Sequence, residues 1–356
     1  MSQTRGDEKS GWWKTTNVPA PSVEAVQLML SSWLDGRRVR EVQLLPGGLM
    51  NRNCRVRIDP APCGLGEPGE PGEPRETQSV VLRLYDRVGE ACAREVAVLE
   101  RLRRTVPVPE VLYAEPGARD GGPPFAVLQF VDGLSLRELK KTGDTPGEKT
   151  SDLVAIGEAA YDAGRLLARL QSHRFPSPGL LTPALTVDAS FLPDPITTTR
   201  LIELFAKSPA FRRRVDSALL DRLLRVGREW DEGPAAPDVP TTLVHGDFNS
   251  RNLLVSQQNG KWRVAAILDW EFAFAGPVYC DIGNFLRYER AARPRFEPFF
   301  SRGCRDGGLD LRGEWLMAAR IADLPALCEL LAHESTPDDV AGEVLGLVTA
   351  TLDQYK

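Results

Sequence analysis

The stretch from Thr242 to Trp270 constrains this chain more than any other. LVHGDFNSRNLLV runs from an apolar strand through a polar loop into a second apolar strand. LLVSQQNGKWRVAAILDW then folds back on itself through Asn259-Gly260. That dipeptide suits a two-residue type I′ turn, because both of its residues tolerate positive φ. The polar loop presents His245, Asp247, Asn249, Arg251 and Asn252, and the hairpin is expected to return the chain so that Asp269 emerges beside it. Two carboxylates and a carboxamide would then meet at one edge.

The chain around this stretch divides by pattern. Residues 1–17 read as a loose tail. SVEAVQLMLSSWL has helical spacing at Val26, Leu28, Met29, Leu30, Trp33 and Leu34, with Gly36 expected to end it. REVQLLPGGLMNRNCRVRID reads as two strands around the turn Pro46–Asn53. Residues 60–79 contain GEPGEPGEPRE, which cannot build a core and is expected to be an exposed loop. SVVLRLYD supplies a third strand. EACAREVAVLERLRR is an amphipathic helix with Ala93, Val96, Leu99 and Leu102 on one side, and VPVPEVLYAE and PPFAVLQFV supply two more strands. Residues 18–131 are thus expected to form a small antiparallel α+β lobe. Residues 132–356 are mainly helical apart from the Thr242–Trp270 strands, with one or two helices expected between Ile196 and Trp230.

Composition narrows the function classes. At 356 residues the chain is too long for one ordinary core. Its formal net charge of -5 offers no basic footprint for nucleic acid and no polybasic stretch for an anionic membrane. No apolar run approaches the roughly 20 residues that span a bilayer, and the polar N-terminus lacks the apolar centre of a signal peptide. A cytoplasmic protein is expected, as a monomer or homodimer. The six scattered cysteines form no C-x-x-C pair, which points to free thiols rather than a zinc site or a disulfide framework.

The hairpin constellation suits phosphoryl transfer, a reaction that asks a protein for a base, for positioning, and for Mg²⁺ to offset phosphate charge. Asn252 follows Asp247 at the D-x-x-x-x-N spacing of the kinase catalytic loop, and Asp269 follows across one hairpin, where a metal-binding Asp belongs. A few hard oxygen ligands fit Mg²⁺ better than zinc.

With these motifs the chain resembles the aminoglycoside phosphotransferase and choline kinase-like superfamily. That family carries H-G-D where protein kinases carry H-R-D, and here stands His245-Gly246-Asp247; its D-W-E is matched by Asp269-Trp270-Glu271, and AGPVYCDIGNFLR supplies the further Asp281. LPGGLMNRN, VLRLYD, AREVAVLERL, VPVPEVL and FAVLQFVDGLSL follow the family's small-lobe order. The resemblance implies a bilobal protein-kinase-like α+β fold that moves the γ-phosphate of ATP, with GTP as the alternative, to a small hydroxylated molecule. It implies Asp247 as the base, Asn252 and Asp269 as Mg²⁺ ligands, and Glu271 as an aid to a second metal. It also implies Arg83 as the phosphate-pairing cation, Glu95 as its helix partner, the backbone of Gln129 and Val131 as the adenine contacts, and Gly47 and Gly48 in the phosphate loop. ATP is expected between the lobes.

Two positions depart from the kinase pattern. Arg83 replaces Lys, which the family tolerates, since a guanidinium pairs with phosphate and carboxylate alike. PGGLMNRN is not G-x-G-x-x-G. Spacing does not separate Glu95 from Glu100 as the partner of Arg83. His245 and Asp281 are expected to brace the loop rather than react. Candidate acceptors are aminoglycoside-like antibiotics, amino alcohols and sugars. A cationic acceptor would want carboxylates, of which Asp323, Glu329, Glu334, Asp338, Asp339 and Glu343 occur late in the chain. The competing reading is a catalytically idle nucleotide-binding scaffold.

Overall fold

The fold is that of a computed structural model, which describes residues 19–45, 51–60, 77–85, 90–117, 122–143, 150–188, 196–233, 239–289 and 294–355. The chain separates into two compact units. One takes the described residues up to Arg103 together with Pro109–Val131; the other takes Arg104–Val108 and the chain from Asp132 onward.

The smaller unit opens with α1 (Val23–Met29) and α2 (Ser31–Leu34). The single helix expected here is broken at Leu30 (φ −94°, ψ 6°), and Val26, Leu30 and Leu34 all remain buried across the break. Each such side chain is worth roughly 1.5–3 kcal/mol of burial. Asp35 (φ 47°) and Gly36 (φ 78°) end the helical segment. Five strands follow, β1 (Val39–Leu44), β2 (Arg52–Ile58), β3 (Gln78–Leu84), β4 (Val111–Glu115) and β5 (Phe125–Gln129), with α3 (Ala91–Leu102) between β3 and β4. They form one antiparallel sheet in the order β1-β2-β3-β5-β4. Alternation along β2 sends Cys54, Val56 and Ile58 into the core while Arg57 faces water.

Three details differ from the sequence reading. Strand β3 starts at Gln78, inside the segment expected to be a loop, because Gln78 and Ser79 pair with Ile58 and Arg57 of β2. Gly47 and Gly48, like most of the 60–79 segment, lie outside the described residues. The buried face of α3 runs through Cys92, Glu95, Val98, Leu99 and Leu102, not through Ala93 and Val96. The helix is turned so that Glu95 meets a buried arginine.

The larger unit contains β6 (Leu134–Ser135), α4 (Leu136–Gly143), α5 (Thr150–Leu170), β7 (Gly179–Leu180), α6 (Thr198–Phe205), α7 (Pro209–Arg214) and α8 (Ser217–Glu232). Next come β8 (Thr242–Val244), β9 (Leu253–Gln258), β10 (Lys261–Ile267), β11 (Phe274–Gly276), α9 (Tyr279–Leu286), α10 (Glu297–Asp306), α11 (Trp315–Ala332) and α12 (Asp338–Leu352). The segment expected to hold one or two helices holds three, α6 to α8. Pro209 starts α7, and the Asp216 side chain caps α8 by accepting from the Leu219 N–H. Helix α5 packs against α10 closely enough that a Cβ on Gly303 would lie 2.0 Å from the Tyr161 carbonyl oxygen. A second core joins α6, α7, α8, α11 and α12 through Ile202, Phe211, Leu223, Leu327, Val344 and their neighbours.

The hairpin forms as its dipeptide predicts. Asn259 (φ 52°) and Gly260 (φ 76°) make the turn, and β9 pairs with β10 from Gln258↔Lys261 to Leu253↔Ile267, with one bulge between Val264 and Ala266. Among the described residues, no helix is long and apolar enough to cross a membrane.

Candidate active site

The loop between β8 and β9 is held from three directions. Gly246 lies at φ +81°, and a Cβ there would sit 2.4 Å from the Phe272 carbonyl oxygen. Both the backbone and the space therefore require glycine. Beneath the loop, the Asp281 carboxylate at the start of α9 accepts the backbone N–H of His245 (2.8 Å) and of Gly246 (3.0 Å). Within the loop, Phe248 is fully buried and meets Phe285, which stacks on Phe300 at 4.3 Å between ring centres.

His245 ties the loop to the end of the hairpin. Its Nδ1 accepts the Asp247 N–H (3.1 Å), so the proton is assigned to Nε2, which donates to the Leu268 carbonyl (2.8 Å). The ring is fully buried against Trp270 at 4.4 Å, and burial pulls its pKa below the ordinary imidazole value, although Asp247 and Asp269 both act to raise it. His245 is therefore a neutral scaffold residue with both nitrogens occupied. The Leu268 N–H donates in turn to the Asn252 carbonyl (2.8 Å). Asp269, the next residue, is thus delivered beside the loop, in left-handed geometry at φ 60°. Non-glycine residues seldom adopt that conformation, and it concentrates at functional sites.

The Asp247 carboxylate is clamped by two amides. Asn249 Nδ2 donates to Oδ1 (2.7 Å) and Asn252 Nδ2 donates to Oδ2 (2.9 Å), while both amides also reach the Asp247 carbonyl. Because the Asn252 nitrogen is spent on Asp247, Oδ1 is the atom that Asn252 offers a cation. Asn249 Oδ1 accepts the Arg251 N–H (2.9 Å), closing the turn. Asn249 lies in the polar loop LVHGDFNSRNLLV, where kinase-like spacing assigns it no role. Its position two residues after an Asp, with its oxygen on the backbone two residues further on, is the Asx-turn pattern that marks it.

Asp281 titrates abnormally. Its burial pushes the carboxyl up to about 7, against the lowering effect of the two backbone N–H groups it accepts, and the nearby Asp247 charge adds to the rise.

Glu271 sits in the short turn Trp270–Phe272 after Asp269, half-buried. Among the described residues, no group of three or more His, Cys, Asp or Glu side chains could hold a metal ion. An Mg²⁺ ion asks for less than that, one or two protein oxygens with phosphate and water completing the set. The Asn252 oxygen and the Asp269 carboxylate fit that donor chemistry.

In the smaller unit, Arg83 Nε lies 2.9 Å from Glu95 Oε2, with both side chains at 4% exposure or less. This is a close ion pair without the alignment of a hydrogen bond at Nε. The Tyr85 hydroxyl donates to the same Glu95 oxygen (2.8 Å). Glu100 is exposed, so burial resolves the choice that spacing left open. The Gln129 N–H is committed to the Glu110 carbonyl (2.8 Å), and Val131 is half-buried at the end of the unit.

The late carboxylates are not gathered into a pocket. Asp323 is buried in a two-pronged pair with Arg287 (2.6 and 2.7 Å). Glu334 pairs with Arg213, and Glu329 lies 3.8 Å from His333. Asp338 and Asp339 form the first turn of α12, where negative charge complements the helix dipole.

Residues 41–315 match the phosphotransferase enzyme family, APH. The chain belongs to this family. Its members share the aminoglycoside phosphotransferase and choline kinase-like architecture, a kinase-like α+β fold that solved structures reproduce. One is a thermostable mutant of aminoglycoside phosphotransferase APH(4)-Ia in ternary complex with AMP-PNP and hygromycin B. It has a TM-score of 0.61 and 18% identity, over 92% of this chain and 98% of that one. Another is wild-type aminoglycoside 2'-phosphotransferase-IIIa with GDP, with a TM-score of 0.62 and 16% identity, over 94% and 100%. At such identities the likeness concerns the fold.

Among curated proteins, acyl-CoA dehydrogenase family member 10 of Mus musculus is 25% identical over 194 residues, which is 54% of this chain and 16% of that protein. Member 11 of Pongo abelii is 26% identical over 183 residues, 51% of this chain and 20% of that protein. The match therefore spans a fifth or less of either relative.

Proposed function

We propose that this phosphotransferase moves the γ-phosphate of ATP to a hydroxyl of a small molecule, with Asp247 as base and Mg²⁺ on Asn252 and Asp269. The observation that carries the reading is the clamped Asp247. Two amides fix its carboxylate, and the loop that presents it is bonded through His245 and Asn252 to the residue preceding Asp269. The related structures were solved with AMP-PNP or GDP bound, and one of them with hygromycin B. Those ligands support a nucleotide donor and a small hydroxylated acceptor here.

In the reaction, the acceptor hydroxyl lies against Asp247, which takes its proton as the oxygen attacks the γ-phosphorus. The bond between the γ-phosphorus and the β,γ-bridging oxygen breaks, and ADP leaves. Bound Mg²⁺ supplies charge neutralisation on the phosphates. Asn249 and Asn252 hold the base in one orientation, so that little rearrangement remains at the moment of transfer. Arg83, braced by Glu95, is assigned to pairing the α- and β-phosphates. The adenine contacts are assigned to the backbone of Gln129 and Val131, the phosphate-loop contacts to Gly47 and Gly48, and support of a second metal to Glu271. The free thiols of Cys54, Cys92, Cys280, Cys304 and Cys328 support placing the protein in a reducing compartment, the cytoplasm.

The test is a melting experiment with Mg·ATP and Mg·GTP. At about 100-fold excess over Kd a ligand that binds only the folded state adds about 2.7 kcal/mol of stability, which is roughly 5–10 °C for a unit of this size. The shift should vanish in Asp269→Asn, which keeps the left-handed backbone and loses the charge. No shift with either nucleotide would overturn the reading, and a shift without turnover would favour the idle scaffold.

A further inference from the structure

Helix α9 reaches the Asp247 loop at two points that straddle the base. Asp281 accepts the N–H groups of His245 and Gly246, just ahead of Asp247. Asn284, three residues further along the same face of the helix, stands against the Phe248 carbonyl, just after Asp247. One orientation of the Asn284 amide satisfies its neighbours. Nδ2 then donates to the Phe248 carbonyl oxygen (3.3 Å), and Oδ1 accepts from Arg287 Nη2 (3.3 Å). The reverse orientation sets acceptor against acceptor and donor against donor, so the amide is assigned from its hydrogen bonds. Asn284 is buried, where a polar group needs its partners.

Arg287, just past the end of α9, is itself fixed. It is forked onto Asp323 of α11 at 2.6 and 2.7 Å, with both side chains at 5% exposure or less. Gly283 brings α9 close enough for that fork. A Cβ there would lie 2.2 Å from the Ala319 carbonyl oxygen and 2.8 Å from Asp323 Cβ. The guanidinium therefore meets the Asn284 oxygen from a rigid base and leaves the nitrogen facing the loop.

The Phe248 carbonyl belongs to the peptide plane that joins Phe248 to Asn249, and Asn249 Nδ2 holds Asp247 Oδ1 (2.7 Å). The Phe248 ring packs on Phe285 at 5.7 Å between ring centres, but apolar contact has no direction and does not set the rotation of that plane. A hydrogen bond does. Building on the proposed phosphotransfer, we propose that Asn284 is a positioning residue for the base. Steadied by the Arg287–Asp323 pair, it fixes the Phe248–Asn249 peptide plane and, through Asn249, the direction of the Asp247 carboxylate.

Asn284→Ala and Asn284→Asp separate this role from packing. Aspartate has the shape of asparagine and keeps an acceptor for Arg287, but its carboxylate cannot donate to Phe248. Two readouts are taken on the full chain below the melting transition of each variant: hydrogen exchange over residues 243–253, and steady-state release of phosphate from Mg·ATP with glucose, with kanamycin and with water alone as acceptor. Both variants are expected to exchange faster over 243–253 while α5 exchanges as in the wild type. Their kcat is expected to fall roughly tenfold or more, as a misplaced base requires, with KM for ATP and the Mg·ATP melting shift retained. Unchanged exchange over 243–253, wild-type kcat in Asn284→Asp, or a loss confined to melting temperature overturns the inference. If the wild type releases no phosphate under any condition, the phosphotransfer reading fails instead. Hydrogen exchange needs no turnover and still decides whether Asn284 holds the loop, so the two failures are distinguishable.

Discussion

Replacing Asp281 tests whether the loop is braced as described. Asp281→Ala leaves the N–H groups of His245 and Gly246 without their acceptors, at a cost of about 1–3 kcal/mol each when buried. Against this stands the relief of a carboxylate that burial disfavours, the same burial that lifts its pKa to about 7. A net loss of roughly 1–3 kcal/mol remains, or about 2–4 °C of melting temperature per kcal/mol. Asp281→Asn keeps one acceptor oxygen and should lose less. The pH dependence follows from the sign of the shift. The folded carboxyl binds its proton more tightly than the unfolded one, whose pKa is near 3.8. This group's contribution to stability is therefore fully present below about pH 4 and is lost as the pH rises through about 7. Urea titrations of wild type and Asp281→Asn from pH 4 to 8 should diverge in slope across that window, and turnover should fall in both variants. Unchanged stability and turnover in Asp281→Ala would refute the bracing argument.

Gly246→Ala must place a Cβ against the Phe272 carbonyl at φ +81°; the left-handed strain alone is roughly 1–2 kcal/mol, and a drop in both melting temperature and turnover is expected. Glu95→Ala strands a buried guanidinium and should cost about 3–5 kcal/mol, whereas the double variant Arg83→Met with Glu95→Leu should recover much of that loss in urea melts without restoring nucleotide binding. His245 is held neutral, with its folded pKa below the unfolded one. Its contribution is present above about pH 6.5 and is lost as the pH falls through the unfolded pKa toward the lower folded value. That acid-side loss should be absent from urea melts of His245→Asn.

The hairpin and its polar loop were legible because their signals are local. Asn259-Gly260 permits one turn, and the Asp247, Asn252 and Asp269 spacing is fixed by chain length alone. The succession of strands and helix along the smaller unit was legible for the same reason, whereas the order of the strands within its sheet, β1-β2-β3-β5-β4, is set by pairing across the unit. What escaped were features set by tertiary contact. Periodicity put Val96 on the inner face of α3, yet a buried carboxylate at Glu95 outweighs a stripe of modest hydrophobes once it has Arg83 and Tyr85 to satisfy it. Composition counted Asp323 among carboxylates open to a cationic acceptor, and no local signal reveals that Arg287, just past the end of α9, takes it.

The most direct test of the account is transfer of labelled γ-phosphate from ATP to gluconate, glucose 6-phosphate, glucose and kanamycin, compared in wild type and Asp247→Ala, with Mg·ATP binding measured on the same samples. The account predicts transfer by the wild type that falls by roughly 10²–10⁴ in the variant while nucleotide binding is retained. Equal transfer by Asp247→Ala would contradict the assignment of the base.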